Sequence, residues 1–432
     1  MLKDIVQKNR WWVVVGAILI QLALGSLYSW GSMTIFVSPV LGLAREVTVY
    51  IFGLSIIAFA ITMLMAGKIM QKLGPQKTAI LGAIVLGIGV LLSALFISIA
   101  SFVGLLLSYG FLYGAGIGIS YVVPIATANK WYPDKKGFIT GIAVAGFGAG
   151  SFIFNYLIRF LANPTNMLTS DPEFILTMER TTPFMYIILA IVYMAMVIGG
   201  ALFLYDPPTG FKPEGWEPPK ILEGNIKAGI EFERKEILRF PQTYLMLFAF
   251  LLSAMCGLIV IGTYASFATS IDVDSNYLYE IGTVDFVLVG SVAALFNGVG
   301  RIFWGKIADN LDFRQSMMIM FTCQAVLCFT YYLTNLNEIV FLISTCLIFF
   351  CFGGNLSLFP TGTSDLFGKN NMGSNYGVVF IGYGVAGFVG AVAVNSIVIS
   401  FGGYLPLYIF LGFLSLGACI LAFLIKPVTN KA

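Results

Sequence analysis

The sequence contains no histidine, and its 24 basic and 21 acidic side chains make up only 10% of 432 residues, against about 25% charged residues in soluble domains. Without imidazole, the Ser-His and Cys-His nucleophile pairs of hydrolases are missing, as is the commonest nitrogen ligand for zinc. Six cysteines (Cys256, Cys323, Cys328, Cys346, Cys351 and Cys419) lie in apolar stretches without CxxC spacing, so neither disulfides nor a thiolate metal site is expected. Charged clusters are confined to turns and one central segment, whereas a membrane-embedded enzyme would gather His, Asp or Glu at the membrane surface. No enzyme, cofactor or metal is therefore expected, and a net charge of +3 is too small to suggest a nucleic-acid partner.

What is abundant is apolar surface: 58% of residues are hydrophobic and the mean hydropathy is +0.90. A chain of this length cannot cover itself against water with 45 charged side chains, so lipid must be the solvent for most of it. Runs long enough to cross a bilayer, about 20 residues, fall near 11–36, 48–66, 78–98, 101–127, 138–161 and 183–205. Six more fall near 241–269, 283–305, 315–335, 338–360, 374–400 and 404–425. The start MLKDIVQKNR has the basic flank of a signal peptide but no convincing small-residue cleavage site after it, so the first run reads as an uncleaved span.

Placing the N-terminus in the cytoplasm puts twenty lysines and arginines on inside segments and only Arg45 and Arg180 outside, leaving Arg159 and Arg301 within spans. The positive-inside rule then makes both termini cytoplasmic and the span number even. Short loops and tails suit a prokaryotic inner membrane. The longest polar interruption, 206–240, sits halfway along and reads as a cytoplasmic linker between a first half, 1–205, and a second, 241–432. Its stretch 221–239 reads as solvated linker or as a helix on the membrane surface.

The halves repeat one another. GKIMQKL at 67–73 returns as GKIADNL at 305–311, an offset of 238, each just after a span. An offset of 236 superposes Pro124 on Pro360, Thr127 on Thr363, Gly137 on Gly373, Gly141 on Gly377, and GFG at 146–148 on GYG at 382–384. Two six-helix repeats joined by a cytoplasmic linker are the plan of transporters that rock about a site near the bilayer midplane.

Arg301 stands out. A charge inside a span costs about 2.5–3.5 kcal/mol on insertion scales, so one that persists usually faces a cavity or a partner. Asn297, Ala294, Ala293 and Gly290 continue its face at helical spacing, whereas Val292, Leu295, Phe296, Val299 and Phe303 cover the rest. The alternative is an arginine low in the eighth span that snorkels beside Lys306. Its counterpart under the 238-residue offset is Met63, so the repeat does not itself demand a charge there. An arginine in an apolar cavity suits a carboxylate, because its planar fork donates two parallel hydrogen bonds and stays charged at any accessible pH.

The stretches NRWW at 9–12, QLALGSLYSWG at 21–31, GAGIGISY at 114–121, TANKWYPDKKG at 127–137, NGVGRIFWGKIAD at 297–309, LFPTGTSDLFG, and NYG at 375–377 cover essentially the whole chain. They resemble the major facilitator superfamily, and within it the oxalate/formate antiporter family, related to the monocarboxylate transporters. The resemblance implies an all-α membrane protein of twelve transmembrane helices in two pseudo-symmetric six-helix bundles, acting as a monomeric carrier of small organic anions. It also implies that Arg301 binds the substrate carboxylate. In oxalate-transporting members a lysine stands where this chain has Tyr383, so the second charge a dianion needs is absent. A phenol donates one hydrogen bond but neutralises nothing, which favours a monocarboxylate such as formate, lactate or pyruvate. Oxalate:formate-type exchange stays as an alternative.

Phe147 and Tyr383, each flanked by glycines, occupy equivalent places in the two halves, and Tyr28 and Tyr121 match aromatic positions that line the family's cavity. Any one of these rings also reads as ordinary packing. Phe352 and Asn355 complete the candidate set, and Leu356 stands where some members carry an aromatic. The turn motif implies gating residues Gly67, Gly305 and Asp309, although Gln71 replaces the acid usual in the first half. Arg159 reads as an interfacial anchor or as a guide for anions.

No acid lies deep in a span; Asp285 comes closest, sixteen residues from Arg301 or about 24 Å on one helix, too far to pair with it. With no group titrating near neutral pH, anion exchange or facilitated transport is favoured, and proton symport with Asp285 as relay stays open. A non-transporting anion sensor is the remaining rival, and such proteins often carry an added soluble domain.

Overall fold

The computed structural model describes residues 4, 6–7, 9–165, 167, 172–208, 210–211, 213, 231–268, 285–368 and 371–428. Among them are twelve helices long and apolar enough to cross a membrane. Lipid offers no partner for backbone N–H and C=O groups, so an apolar run must satisfy them internally, and a helix does so. The first six are α1 (Trp11–Leu41), α2 (Arg45–Leu73), α3 (Pro75–Ser98), α4 (Phe102–Trp131), α5 (Ile139–Ala162) and α6 (Phe174–Ala201). The last six are α7 (Pro241–Ala268), α8 (Phe286–Asn310), α9 (Phe313–Thr334), α10 (Glu338–Phe367), α11 (Met372–Phe401) and α12 (Leu405–Leu424). No strand occurs among the described residues.

Several helices outrun the apolar stretches. At 1.5 Å per residue the 30 residues of α10 span about 45 Å, against about 30 Å of hydrocarbon, so both ends reach the interface. Hydropathy marks the lipid-crossing part only. The stretches beginning at Gly67 and Gly305 accordingly lie inside α2 and α8 and not after them, and the α2–α3 turn is Gly74 alone, followed by Pro75 at the start of α3. Likewise α6 begins at Phe174, nine residues before its expected start, and carries Pro183 in its interior. Elsewhere the ends follow ordinary capping chemistry: Asn337 accepts from the amides of Ile339 and Val340, and Asp312 from that of Gln315.

Two irregularities adjoin the centre. The middle of α1, Ser26–Ser29, tightens into a 3-10 turn that carries Tyr28, and α4 widens into a π-helical run over Leu106–Tyr113. A 2.7 Å bond between the Ser26 and Tyr113 hydroxyls joins them. Pro124 and Pro360, superposed by the internal repeat, lie within α4 and α10, the fourth helix of each set of six.

Packing follows the same symmetry. In the first six helices α2 packs on α4, α3 on α6 and α1 on α5; in the last six α8 packs on α10, α9 on α12 and α7 on α11. The two sets meet along α2–α11, α5–α8 and α1–α7, and exchanging the sets turns the first of these seams into the second. One end of the bundle, here the linker face, carries the turn Arg234–Ile237 with its reciprocal Glu233–Glu236 capping box. Phe232 beside it is tied to the last six helices, its amide donating to Phe367 O and its carbonyl accepting from Asn371 and Asn375. Residues 221–230 of the expected surface helix lie outside the described residues. The other end, the opposite face, carries the start of α8 and the end of α5.

Candidate functional site

Arg301 lies on the inward face of α8, 2% exposed, with Asn297, Ala293 and Ala294 buried beside it, while Leu295, Phe296, Val299 and Phe303 are exposed on the lipid side. It does not snorkel. Its Nε donates to Asn297 Oδ1 at 3.0 Å, and its Nη1 crosses to the Val144 carbonyl of α5 at 2.7 Å. Nη2 is buried with no hydrogen-bond partner, and no carboxylate among the described residues pairs with the guanidinium. An unpaired cation in a low-dielectric interior is costly, so the site favours an added negative charge.

Around it stands a box of rings. The guanidinium carbon lies 5.5 Å from the centroid of Phe147 on α5, a cation–π distance. Phe147 meets Tyr121 of α4 at 5.2 Å and Tyr28 of α1 at 5.3 Å, both edge-on. Tyr28 in turn meets Phe352 of α10 at 5.6 Å, and its hydroxyl is bonded at 2.8 Å to that of Tyr383 on α11. This one bond joins residues 355 positions apart, from opposite sets of helices. The hydroxyls of Tyr28 and Tyr121 face the guanidinium closely enough to interact with it. Close approach of α5 to α8 depends on Gly148: a Cβ there would stand 2.6 Å from Asn297 Oδ1 and 2.9 Å from the Gly298 amide nitrogen.

Seven of the eight candidates thus gather in one place: Arg301, Asn297, Tyr383, Tyr28, Tyr121, Phe147 and Phe352. Asn355 is tied elsewhere. Its Oδ1 accepts from the Ser253 hydroxyl, which is also linked to Gln324, in a polar knot between α7, α9 and α10. Of the turn-motif residues, Gly67 and Asp309 are exposed at the linker-face ends of α2 and α8, and Gly305 lies between Arg301 and that end.

Sequence reasoning missed four contributors. Phe59 of α2 touches Tyr121, Phe147, Phe380 and Tyr383 with centroids 5.1–6.1 Å apart. The offset that pairs Met63 with Arg301 also pairs Phe59 with Asn297, so the repeat held that signal. Phe380, stacked on Tyr383 at 4.7 Å, and Tyr376 precede Tyr383 by three and seven positions and share its face. The Val144 carbonyl left no signal, because any residue supplies one.

Arg159 and Asp285, read separately in the sequence, are partners: Nη1 and Oδ1 lie 2.7 Å apart, joining α5 to α8 on the opposite face. Nearby, Asn395 Nδ2 of α11 donates to the Glu46 carbonyl of α2, and the Tyr404 hydroxyl donates to the Glu46 carboxylate, both at 2.7 Å. Among the described residues, polar contacts thus bridge the two sets of helices at two places on the opposite face.

Residues 13–391 match the Major Facilitator Superfamily. An oxalate:formate antiporter of Oxalobacter formigenes is 28% identical over 91% of this chain and 86% of its own length. The uncharacterized MFS-type transporter YhjX of Escherichia coli is 28% identical over 88% and 86%. Apicoplast pyruvate carrier 1 of Toxoplasma gondii is 26% identical over 87% and 82%. The family and these relatives are membrane transporters, not enzymes. Twelve membrane-length helices and a match over most of the sequence agree: the chain belongs to the Major Facilitator Superfamily.

Proposed function

We propose that the protein is a secondary transporter of small organic anions, with a monocarboxylate such as formate, lactate or pyruvate bound by Arg301. The observation that carries this is the guanidinium's surroundings: a buried Nη2 without a hydrogen bond, no acid among the described residues paired with it, and a box of rings around it. A monoanion brings that box to net zero, whereas a dianion leaves one negative charge uncompensated in low dielectric. Relatives named for oxalate, formate and pyruvate support a small carboxylate as the guest, and the charge argument favours the monoanions among them.

Residues 1–205 and 241–432 act as the two rocking bodies, joined by 206–240. The anion accepts from Nη2 and from whichever hydroxyl of the Tyr28–Tyr383 pair has its proton free, and neutralising Arg301 allows the halves to close around it. Basic residues crowd the linker face, which the positive-inside rule assigns to the cytoplasm with both termini. The protein works as a monomer in the bilayer, and with no acid among the described residues beside Arg301 and no histidine in the sequence it exchanges or facilitates and does not carry protons.

Uptake of labelled formate or lactate into liposomes holding Arg301→Gln tests the assignment. Loss of a charge-assisted hydrogen bond worth about 1.5–3 kcal/mol raises the half-saturating concentration about 10- to 150-fold. Uptake equal to that of the unaltered protein removes Arg301 from the role.

A further inference from the structure

The internal repeat pairs the positions around Arg301 with four others of different chemistry. An offset of 238 carries Phe59 and Met63 of α2 onto Asn297 and Arg301 of α8, and an offset of 236 carries Val144 and Phe147 of α5 onto Phe380 and Tyr383 of α11. At the α5–α8 seam these places form a charged corner of guanidinium, amide, backbone carbonyl and ring. At the α2–α11 seam they form an apolar one. The Phe59 ring lies 5.3 Å from that of Phe380 and 6.0 Å from that of Tyr383, with Ile56, Ala60 and Met63 buried beside it. None of Ile56, Phe59, Ala60, Met63 and Phe380 carries a side-chain N–H or O–H.

Seams exchanged by the symmetry stand on opposite sides of its axis, so a guest between them meets different chemistry at its two ends. An anion whose carboxylate is on Arg301 turns its remaining atoms toward Phe59. A hydroxylated or charged far end would shed water there and find no donor, whereas a methyl or methylene gains by leaving water. The apolar corner also resists widening. A Cβ on Gly384 or Gly387 would run into Ala60 or Ile56, so the two helices are already in contact. Phe59 further meets Tyr121 of α4 at 5.1 Å and Phe147 of α5 at 6.1 Å. Braced by rings from α4, α5 and α11, it cannot swing aside for a longer chain without displacing them.

We infer that Phe59 is the specificity-determining residue of the site, the end wall on which the carbon chain of the anion stops. The protein therefore takes short monocarboxylates with an apolar far end and rejects longer chains and chains with a second polar group. This rests on Arg301 holding the carboxylate, because that contact fixes which end of the guest faces α2–α11.

Thermal unfolding of the full chain in nanodiscs, titrated with each straight-chain alkanoate from formate to hexanoate, reads binding without requiring transport. In the unaltered protein, apparent affinity rises about fourfold for each methylene that fits, then falls once the chain meets the ring. Propionate outbinds glycolate, which has a hydroxyl in place of the terminal methyl, by about tenfold or more. Phe59→Leu, with Phe59→Val in parallel in case the first does not fold, moves the fall outward, so the first alkanoate rejected by the unaltered protein binds about tenfold tighter. Phe52→Leu, two turns earlier on α2 and equally buried, leaves the fall in place. A fall unmoved by Phe59 substitution, one that moves equally in Phe52→Leu, or glycolate equal to propionate overturns the inference. Arg301→Gln separates the two readings. Alkanoate binding that Arg301→Gln weakens, with the fall unmoved by Phe59, sinks this inference alone; binding indifferent to Arg301→Gln, or none by any alkanoate, sinks the carboxylate reading and this inference with it.

Discussion

The Tyr28–Tyr383 bond makes an unusual demand on double substitution. Two phenols 2.8 Å apart hold two protons, of which one is spent on the bond between them and one stays free for a bound carboxylate. Tyr383→Phe removes the bond but leaves the Tyr28 proton free, and Tyr28→Phe leaves that of Tyr383. Each single change therefore loses one buried neutral hydrogen bond, about 0.5–1.5 kcal/mol of stability, while a donor to the anion survives. The double change removes the last donor. A hydrogen bond to a charged group contributes about 1.5–3 kcal/mol, so the double variant's half-saturating concentration rises about 10- to 150-fold while either single variant stays within about threefold. Counterflow of labelled formate or lactate in liposomes, with all four proteins at matched density, reads the affinities, and thermal unfolding in detergent reads the lost bond. Either single variant as impaired as the double refutes the reasoning, because one particular hydroxyl would then be the donor and the pair would not be interchangeable.

Other outcomes follow from the same geometry. Tyr383→Lys supplies a second cation, so a panel of competing carboxylates ranks oxalate above formate and lactate in the variant and below them in the unaltered protein; an unchanged ranking counts against the charge argument. Gly148→Leu drives a side chain into Asn297 and the Gly298 backbone, and is expected to abolish uptake even where the protein still inserts; wild-type uptake would show that the α5–α8 approach is not needed. A pH gradient of one unit across the liposome leaves exchange of labelled monocarboxylate within about twofold, and a dependence approaching tenfold per unit would establish proton coupling instead.

Composition, periodicity and the repeat carried most of the architecture. Twelve runs of apolar residues leave lipid as the only workable solvent, and lipid leaves the helix as the only backbone that satisfies itself, so span number and order follow from hydropathy. The inward set of α8 was equally legible, because Asn297 and Arg301 share a face by helical spacing and no other part of the chain has to be known. Helix ends such as Phe174 and the run of α10 to Phe367 were not, since hydrogen bonding continues past the hydrocarbon where hydropathy is silent. Nor were contacts between distant segments. Tyr28 and Tyr383 were each singled out, yet nothing in either stretch says that their hydroxyls meet. Arg159 and Asp285 looked like two separate interfacial charges until α5 and α8 were set side by side. Asn355, at a plausible helical position, is claimed by Ser253 on a neighbouring helix. The sequence by itself determined how many helices there are and which side of each is polar, because those properties are local. Which polar side meets which, and hence that Arg301 is left with an unmet N–H edge inside a ring of aromatics, was decided only when helices far apart in the chain packed together.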